Sequence, residues 1–174
     1  FDRADADIVL ISSDHVHFRA HKAILAVASP VFDSMFSLPQ PSPDEGDTSL
    51  PTVTMSEDAQ TLYFILRTCY PVSRSPKIAS LDDARLVLEM SRKYEIVPFE
   101  GLAEEALLDM ADKDPIGVFV VACLYGLDSV AGHAAQASLN LSQVAITQSE
   151  HLHLITGHQF SQILQYHLRC GREA

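Results

Sequence analysis

Hydrophobic positions along this chain change their period several times, and each change marks an element. Asp7 to Ser12 carries the apolar run Ile8-Val9-Leu10-Ile11, short and mostly β-branched, which predicts a buried strand. Ser13-Asp14 supplies turn chemistry. His15 to Ala20 then alternates, with Val16, Phe18 and Ala20 on one face and His15, His17 and Arg19 on the other, the pattern of a half-buried hairpin partner. From Lys22 the spacing turns helical, with Ile24, Leu25 and Ala28 on one stripe. Ser29-Pro30 stops that helix and starts another, because serine caps and proline at the first helical position gives up only an orphaned amide hydrogen. Phe32, Met35 and Phe36 follow at i, i+3, i+4 spacing.

Prolines and acids then replace the apolar period from Ser37 to Thr52, which predicts an exposed loop containing Asp44, Glu45 and Asp47. Its bland reading is a solvated turn; its functional one is a partner-contact or phospho-regulated segment, with Ser42 beside Pro43. Thr52 to Met55 predicts a third short strand with Val53 and Met55 facing in. Ser56-Glu57-Asp58 predicts the acidic start of a helix with Leu62, Ile65, Leu66 and Cys69 on its buried stripe, ended by Pro71. A loop with the small basic patch Arg74 and Lys77 follows. Ser80 and Asp83 have capping-box spacing before a helix burying Leu81, Ala84, Val87, Leu88 and Tyr94. After Pro98 comes a helix burying Phe99, Leu102, Ala103, Ala106, Leu107 and Met110. This order predicts an α+β fold, a small three-stranded sheet covered by helices.

At Lys113-Asp114-Pro115 the character changes. From Pro115 to Ser149 the only formally charged residue is Asp128, and the helix from Pro115 to Leu127 is apolar nearly all round, hence buried. A helical hairpin turning near Gly126 to Ser129 and two short helical segments complete an all-helical extension. Its last segment is expected to bury Phe160, Ile163, Leu164, His167 and Leu168. The expected domains are 1–111 and 112–174.

The first segment also carries a family resemblance. An aspartate before an apolar strand, a hairpin, His-Lys leading into an apolar helix, a serine and a Phe-x-x-Met-Phe turn stand here as Asp7, His21-Lys22, Ile24-Leu25, Ser29 and Phe32 to Phe36. This resembles the BTB/POZ family. The extension Leu38-Pro39-Gln40-Pro41 is similar to the fungal variant, and the helical tail looks BACK-like. The resemblance implies a non-enzymatic protein-interaction module, with Asp7 and Lys22 meeting as a charged pair in a pocket on the dimer-facing side. Their simpler reading is a tie between the first strand and the first helix. The resemblance also makes Asp7, His21, Lys22, Phe32, Met35, Phe36 and Leu38 candidate partner-contact residues. Three roles follow from it: a self-associating scaffold (homodimer), a substrate adaptor for a cullin-type ubiquitin ligase, and a monomeric interaction domain. Dimeric members often exchange an N-terminal strand and helix, and Phe1 to Ala6 is too short for one, which weighs against the dimer. Cullin adaptors carry a hydrophobic-x-Glu motif where this chain has Leu38-Pro39-Gln40, which weighs against the adaptor and tilts the reading to the scaffold.

Composition narrows the partners. Twelve Lys+Arg against 23 Asp+Glu give a net charge of −11, which repels phosphate backbones and anionic lipid, so protein partners are expected rather than nucleic acid or membrane. The longest apolar run, Ile116 to Leu127, is too short for a bilayer span. Cys69, Cys123 and Cys170 are odd in number and far apart, pointing to a reducing compartment, with nucleus and cytoplasm both open. Eight histidines raise the question of metal, but no Cys-x-x-Cys or His-Glu-x-x-His occurs. His167-x-x-Cys170 reads better as a satisfied core histidine than as half a site. With no nucleophile elbow and no phosphate-cradling glycine loop, neither catalysis nor a cofactor is expected.

Overall fold

The computed structural model describes residues 1–38, 50–71 and 76–170. The acidic loop with Ser42-Pro43, the Pro39-Gln40 positions and Arg74 lie outside the described residues. Two units emerge, residues 1–77 with 90–97 and residues 78–89 with 98–174.

In the first unit, β1 (Ile8–Ile11), β2 (His17–Ala20), α1 (Lys22–Ala28), α2 (Pro30–Ser37), β3 (Thr52–Thr54) and α3 (Ala59–Cys69) follow one another. The sheet has the order β2-β1-β3, with β1 antiparallel to β2 and parallel to β3. Ile8 lies opposite Ala20 and Leu10 opposite Phe18, and these four side chains form its buried face. The second strand begins two residues later than the alternation predicts. His15 takes a left-handed φ of 63°, and the Ser12 amide donates to the Val16 carbonyl at 3.0 Å. That wider turn leaves Val16 exposed. Asp14 instead accepts a hydrogen bond from the Ala59 amide, 2.8 Å away at the start of α3.

The α1–α2 junction works as the serine-proline pair predicts. The Ser29 amide closes α1 on the Leu25 carbonyl at 2.9 Å, and its Oγ accepts from the Phe32 amide at 3.1 Å. The same hydroxyl donates to the carbonyl of Tyr94 at 2.5 Å, at the end of α4 (Leu81–Tyr94). Phe32 has no exposed surface and stacks on Tyr94 with centroids 4.9 Å apart. Phe36 stacks on Phe32 at 5.8 Å but is only half-buried.

Glu57 departs from its predicted place. Asp58 caps α3, accepting from the Thr61 amide at 2.8 Å, and Glu57 lies ahead of the helix with its side chain 5% exposed. Its carboxylate accepts from Lys93 Nζ and from the Tyr94 hydroxyl, the latter at 2.6 Å. Burial alone raises a carboxyl's pKa, but the Lys93 and Tyr94 bonds together outweigh it and hold Glu57 below its ordinary value. Cys69, at the end of α3, is part-buried and its thiol is pushed up to about 12 by burial, so it stays protonated and inert.

In the second unit, the predicted capping box opens α4: the Asp83 amide donates to Ser80 Oγ at 3.1 Å and the Ser80 amide to Asp83 Oδ2 at 3.0 Å. Then come α5 (Val97–Met110), α6 (Pro115–Tyr125) and α7 (Asp128–Ala137). Asp114 caps α6 by accepting from the Gly117 amide at 2.9 Å, and Pro115 to Ala122 are all buried, as the near-continuous apolar run predicts. A Cβ on Gly117 would clash with the Asp114 carboxylate and with Leu81, so the cap depends on that glycine. Gly126 ends α6 with a φ of +70°, and α7 packs back along α6.

The chain closes with α8 (Gln143–Thr147), a 3-10 turn at Glu150–Leu154 and α9 (Gly157–Cys170). Periodicity misses α8: only Ile146 of its five residues is buried, too few for a stripe. His167 is nearly buried, with Nε2 2.7 Å from Ser138 Oγ. That hydroxyl donates to the Ala135 carbonyl at 2.6 Å, so the imidazole donates to it, and burial keeps the ring's pKa low. Leu168, expected inside, is half exposed because α9 turns only its Ile163–His167 face inward.

Phe32→Ala should cost about 3–5 kcal/mol by deleting a buried ring, and Phe36→Ala distinctly less; urea unfolding of both variants measures the difference. The Glu57 site also makes stability fall in acid. Its folded pKa lies below the unfolded value of about 4.3, so its contribution is complete above about pH 5 and is lost as pH falls through the folded value. Urea midpoints from pH 7 down to 3 should fall along an acid limb that Glu57→Gln flattens.

Candidate interaction surface

The residues expected to meet partners fall at the start of α1 and along α2. Asp7, just ahead of β1, places Oδ1 2.8 Å from the backbone amide of Lys22, the first residue of α1. The carboxylate thus satisfies one of the four orphan amides of that helix and sits at the positive end of its dipole. It does not pair with the ammonium: among the described residues no ion pair joins Asp7 to the Lys22 side chain. Asp7 is also exposed. The charged pair expected from the resemblance is therefore corrected to a helix cap, because Asp7 reaches the nearer main-chain donor.

His21, the residue before α1, is held from two sides. Its backbone amide donates to the Tyr70 hydroxyl at 2.7 Å, and its Nδ1 lies 2.9 Å from the same oxygen. A backbone amide can only donate, so the Tyr70 oxygen accepts there and its own proton is free for Nδ1. Nε2 faces Asp5 Oδ1 at 3.4 Å. Arg3 grips both oxygens of Asp5 with two bonds of 2.8 Å and holds its carboxyl well below the ordinary carboxylate range. Burial pushes the Tyr70 hydroxyl up, keeping it a neutral donor.

Along α2 the candidates divide. Phe32 is enclosed and offers a partner no surface. Met35 and Phe36 are half-buried and Leu38 is 63% exposed. On α1, Leu25 is buried and Ile24 half-buried, while Val27 is 91% exposed. Sequence reasoning misses Val27 because it follows the buried stripe; a β-branched apolar residue off that stripe is the available signal.

Beside His21 opens a groove of about 580 Å³, lined among others by Arg19, His21, Ile24, Tyr63 and Tyr70. Phe1 packs edge-on against Phe18, Tyr63 and Tyr70, with centroids 5.1–6.4 Å apart, and its carbonyl accepts from the Arg19 amide at 3.1 Å. These contacts join distant parts of the chain, so no local motif announces them. In the second unit, His151 Nε2 lies 3.5 Å from Asp114 and 3.9 Å from Glu150. Among the described residues no three His, Cys, Asp or Glu side chains gather as a metal site.

A model of the BTB/POZ domain matches residues 2–111, more than half of the chain. The chain belongs to the BTB/POZ family. A BTB/POZ domain is a protein–protein interaction module, so this chain has protein partners. No curated protein matches it. Among the described residues no helix is long and apolar enough to cross a membrane.

Because Asp7 is an exposed cap rather than half of a buried pair, Asp7→Asn should cost less than about 1 kcal/mol. A buried pair broken on one side would cost about 3–5 kcal/mol. Thermal unfolding distinguishes them, with a Tm drop of no more than about 4 °C expected.

Proposed function

We propose that this BTB/POZ chain is a self-associating scaffold, pairing as a homodimer through the outer face of the α1–α2 hairpin. The observation that carries this reading is Val27, a β-branched apolar side chain 91% exposed. Half-buried Met35 and Phe36 on α2, with the exposed Leu38 after them, support it. A lone exposed apolar residue is ordinary on a protein surface, but one accompanied by further part-exposed apolar side chains on the same helical hairpin has the composition of an interface. Residues 1–111 act as the pairing module in this reading, and 112–174 as a BACK-like extension.

Light scattering across a hundredfold concentration range tests the proposal. The expected result is a concentration-dependent dimer, burying at least about 1,000 Å² in total. Val27→Glu should weaken it at least about tenfold, since pairing would bury an unmatched charge, while the melting temperature holds. Asp7→Asn should disturb association more than folding if the start of α1 contributes. A monomer at every concentration overturns the scaffold. Copurification with a cullin N-terminal domain would then assign the chain to the adaptor class, and its failure would leave a monomeric interaction domain.

A further inference from the structure

We infer that the groove beside β2 and α3 docks a short acidic peptide bearing an aromatic side chain, supplied by a partner protein other than a second copy. This rests on the reading of the chain as an interaction module and adds a second surface to it.

The argument begins with charge. The chain as a whole is strongly acidic, at −11, yet Arg3, Arg19 and Arg67 line this groove with Asp5 the one carboxylate in its lining. Arg3 and Asp5 neutralise each other. Arg19 is exposed and makes no ion pair among the described residues. A local excess of positive charge on an acidic protein selects an acidic partner and disfavours another copy of the same acidic chain.

The walls supply the second requirement. Ile24, Tyr63 and Tyr70 give the groove an apolar lining, and Tyr63 is 46% exposed with the Arg67 guanidinium 5.8 Å from its ring centre. An aromatic side chain from a partner would complete that stack. The volume, about 580 Å³, lies within the range of about 300–1,000 Å³ typical of ligand-binding clefts.

The third point is how the peptide lies. An extended peptide often docks by adding a strand to an open sheet edge. Here the outward amide of Arg19 on β2 is already taken by the carbonyl of Phe1. Recognition therefore falls to side chains, an aromatic ring against Tyr63 and carboxylates against Arg19.

The test uses the whole chain and a fluorescein-labelled peptide, Asp-Glu-Phe-Asp-Glu-Leu, followed by anisotropy. Expected is saturable binding with a Kd below about 1 mM, weakened at least about fivefold by Arg19→Glu and likewise by Tyr63→Ala. Arg19 is exposed, so Arg19→Glu should melt with the parent, while Tyr63→Ala also gives up its contacts with Phe1 and Arg67 and should melt slightly lower yet remain folded. A peptide with Lys for its acids, and one with Ala for Phe, should bind at least about fivefold more weakly. Equal binding of the lysine peptide, or indifference to both substitutions, overturns the inference. So does tighter binding of heparin, which would make the groove a polyanion site. A change in oligomeric mass on Arg19→Glu without loss of peptide binding makes the occupant a second copy and also overturns it. If the peptide fails while light scattering still finds a dimer, this inference falls and the scaffold stands. If a monomer binds the peptide, the scaffold falls and this inference stands.

Discussion

The first unit depends on one hydroxyl. Ser29 ends α1 through its amide, starts α2 through its side-chain oxygen and donates its proton to the carbonyl of Tyr94, 65 residues further on. It is fully buried, where an unmade hydrogen bond costs far more than a made one contributes. Alanine there would orphan the Phe32 amide and the Tyr94 carbonyl together.

Tyr94 carries that connection onward. Its backbone takes the Ser29 proton, its ring lies flat on Phe32, and its hydroxyl reaches Glu57 ahead of α3. Lys93 balances the carboxylate from the neighbouring position. Junction, ring stack and buried carboxylate therefore form one cooperative set, coupled through shared partners as networks of this kind are. Phe32 belongs to it as packing, not as surface.

Local signals read well from the sequence and long-range ones do not. The strand run, the Ser29-Pro30 junction, the Ser80–Asp83 capping box and the Asp114-Pro115 start of α6 all obey rules that act within four residues, so they are legible. The α+β class follows from their order. The hairpin turn is harder, because the left-handed His15 costs a bulky residue something that periodicity does not register. Glu57 is misplaced by local rules because its partners, Lys93 and Tyr94, are 36 and 37 positions away. Likewise the groove needs Phe1, Arg19 and Tyr70 together, and nothing local to any of them says so. α8 escapes because a five-residue helix with one buried side chain has no period to detect.

The placement of Asp7 bears on where function resides in this BTB/POZ chain. The aspartate, the serine and the first phenylalanine of the recognisable pattern are all engaged within the chain: a cap on Lys22, a junction at Ser29, a stacked ring at Phe32. Residues so engaged keep the fold, and in the proposed reading a partner meets the side chains around them. Val27, Arg19 and Tyr63, the exposed side chains on which the two proposed surfaces rest, lie outside that pattern, while Met35 and Phe36 within it are half-buried. Apolar exposure at Val27 and positive charge at Arg19 ask for different complements, one a matching apolar face, the other a carboxylate. A chain with both surfaces could hold its own copy at one and a different protein at the other, because neither complement satisfies both.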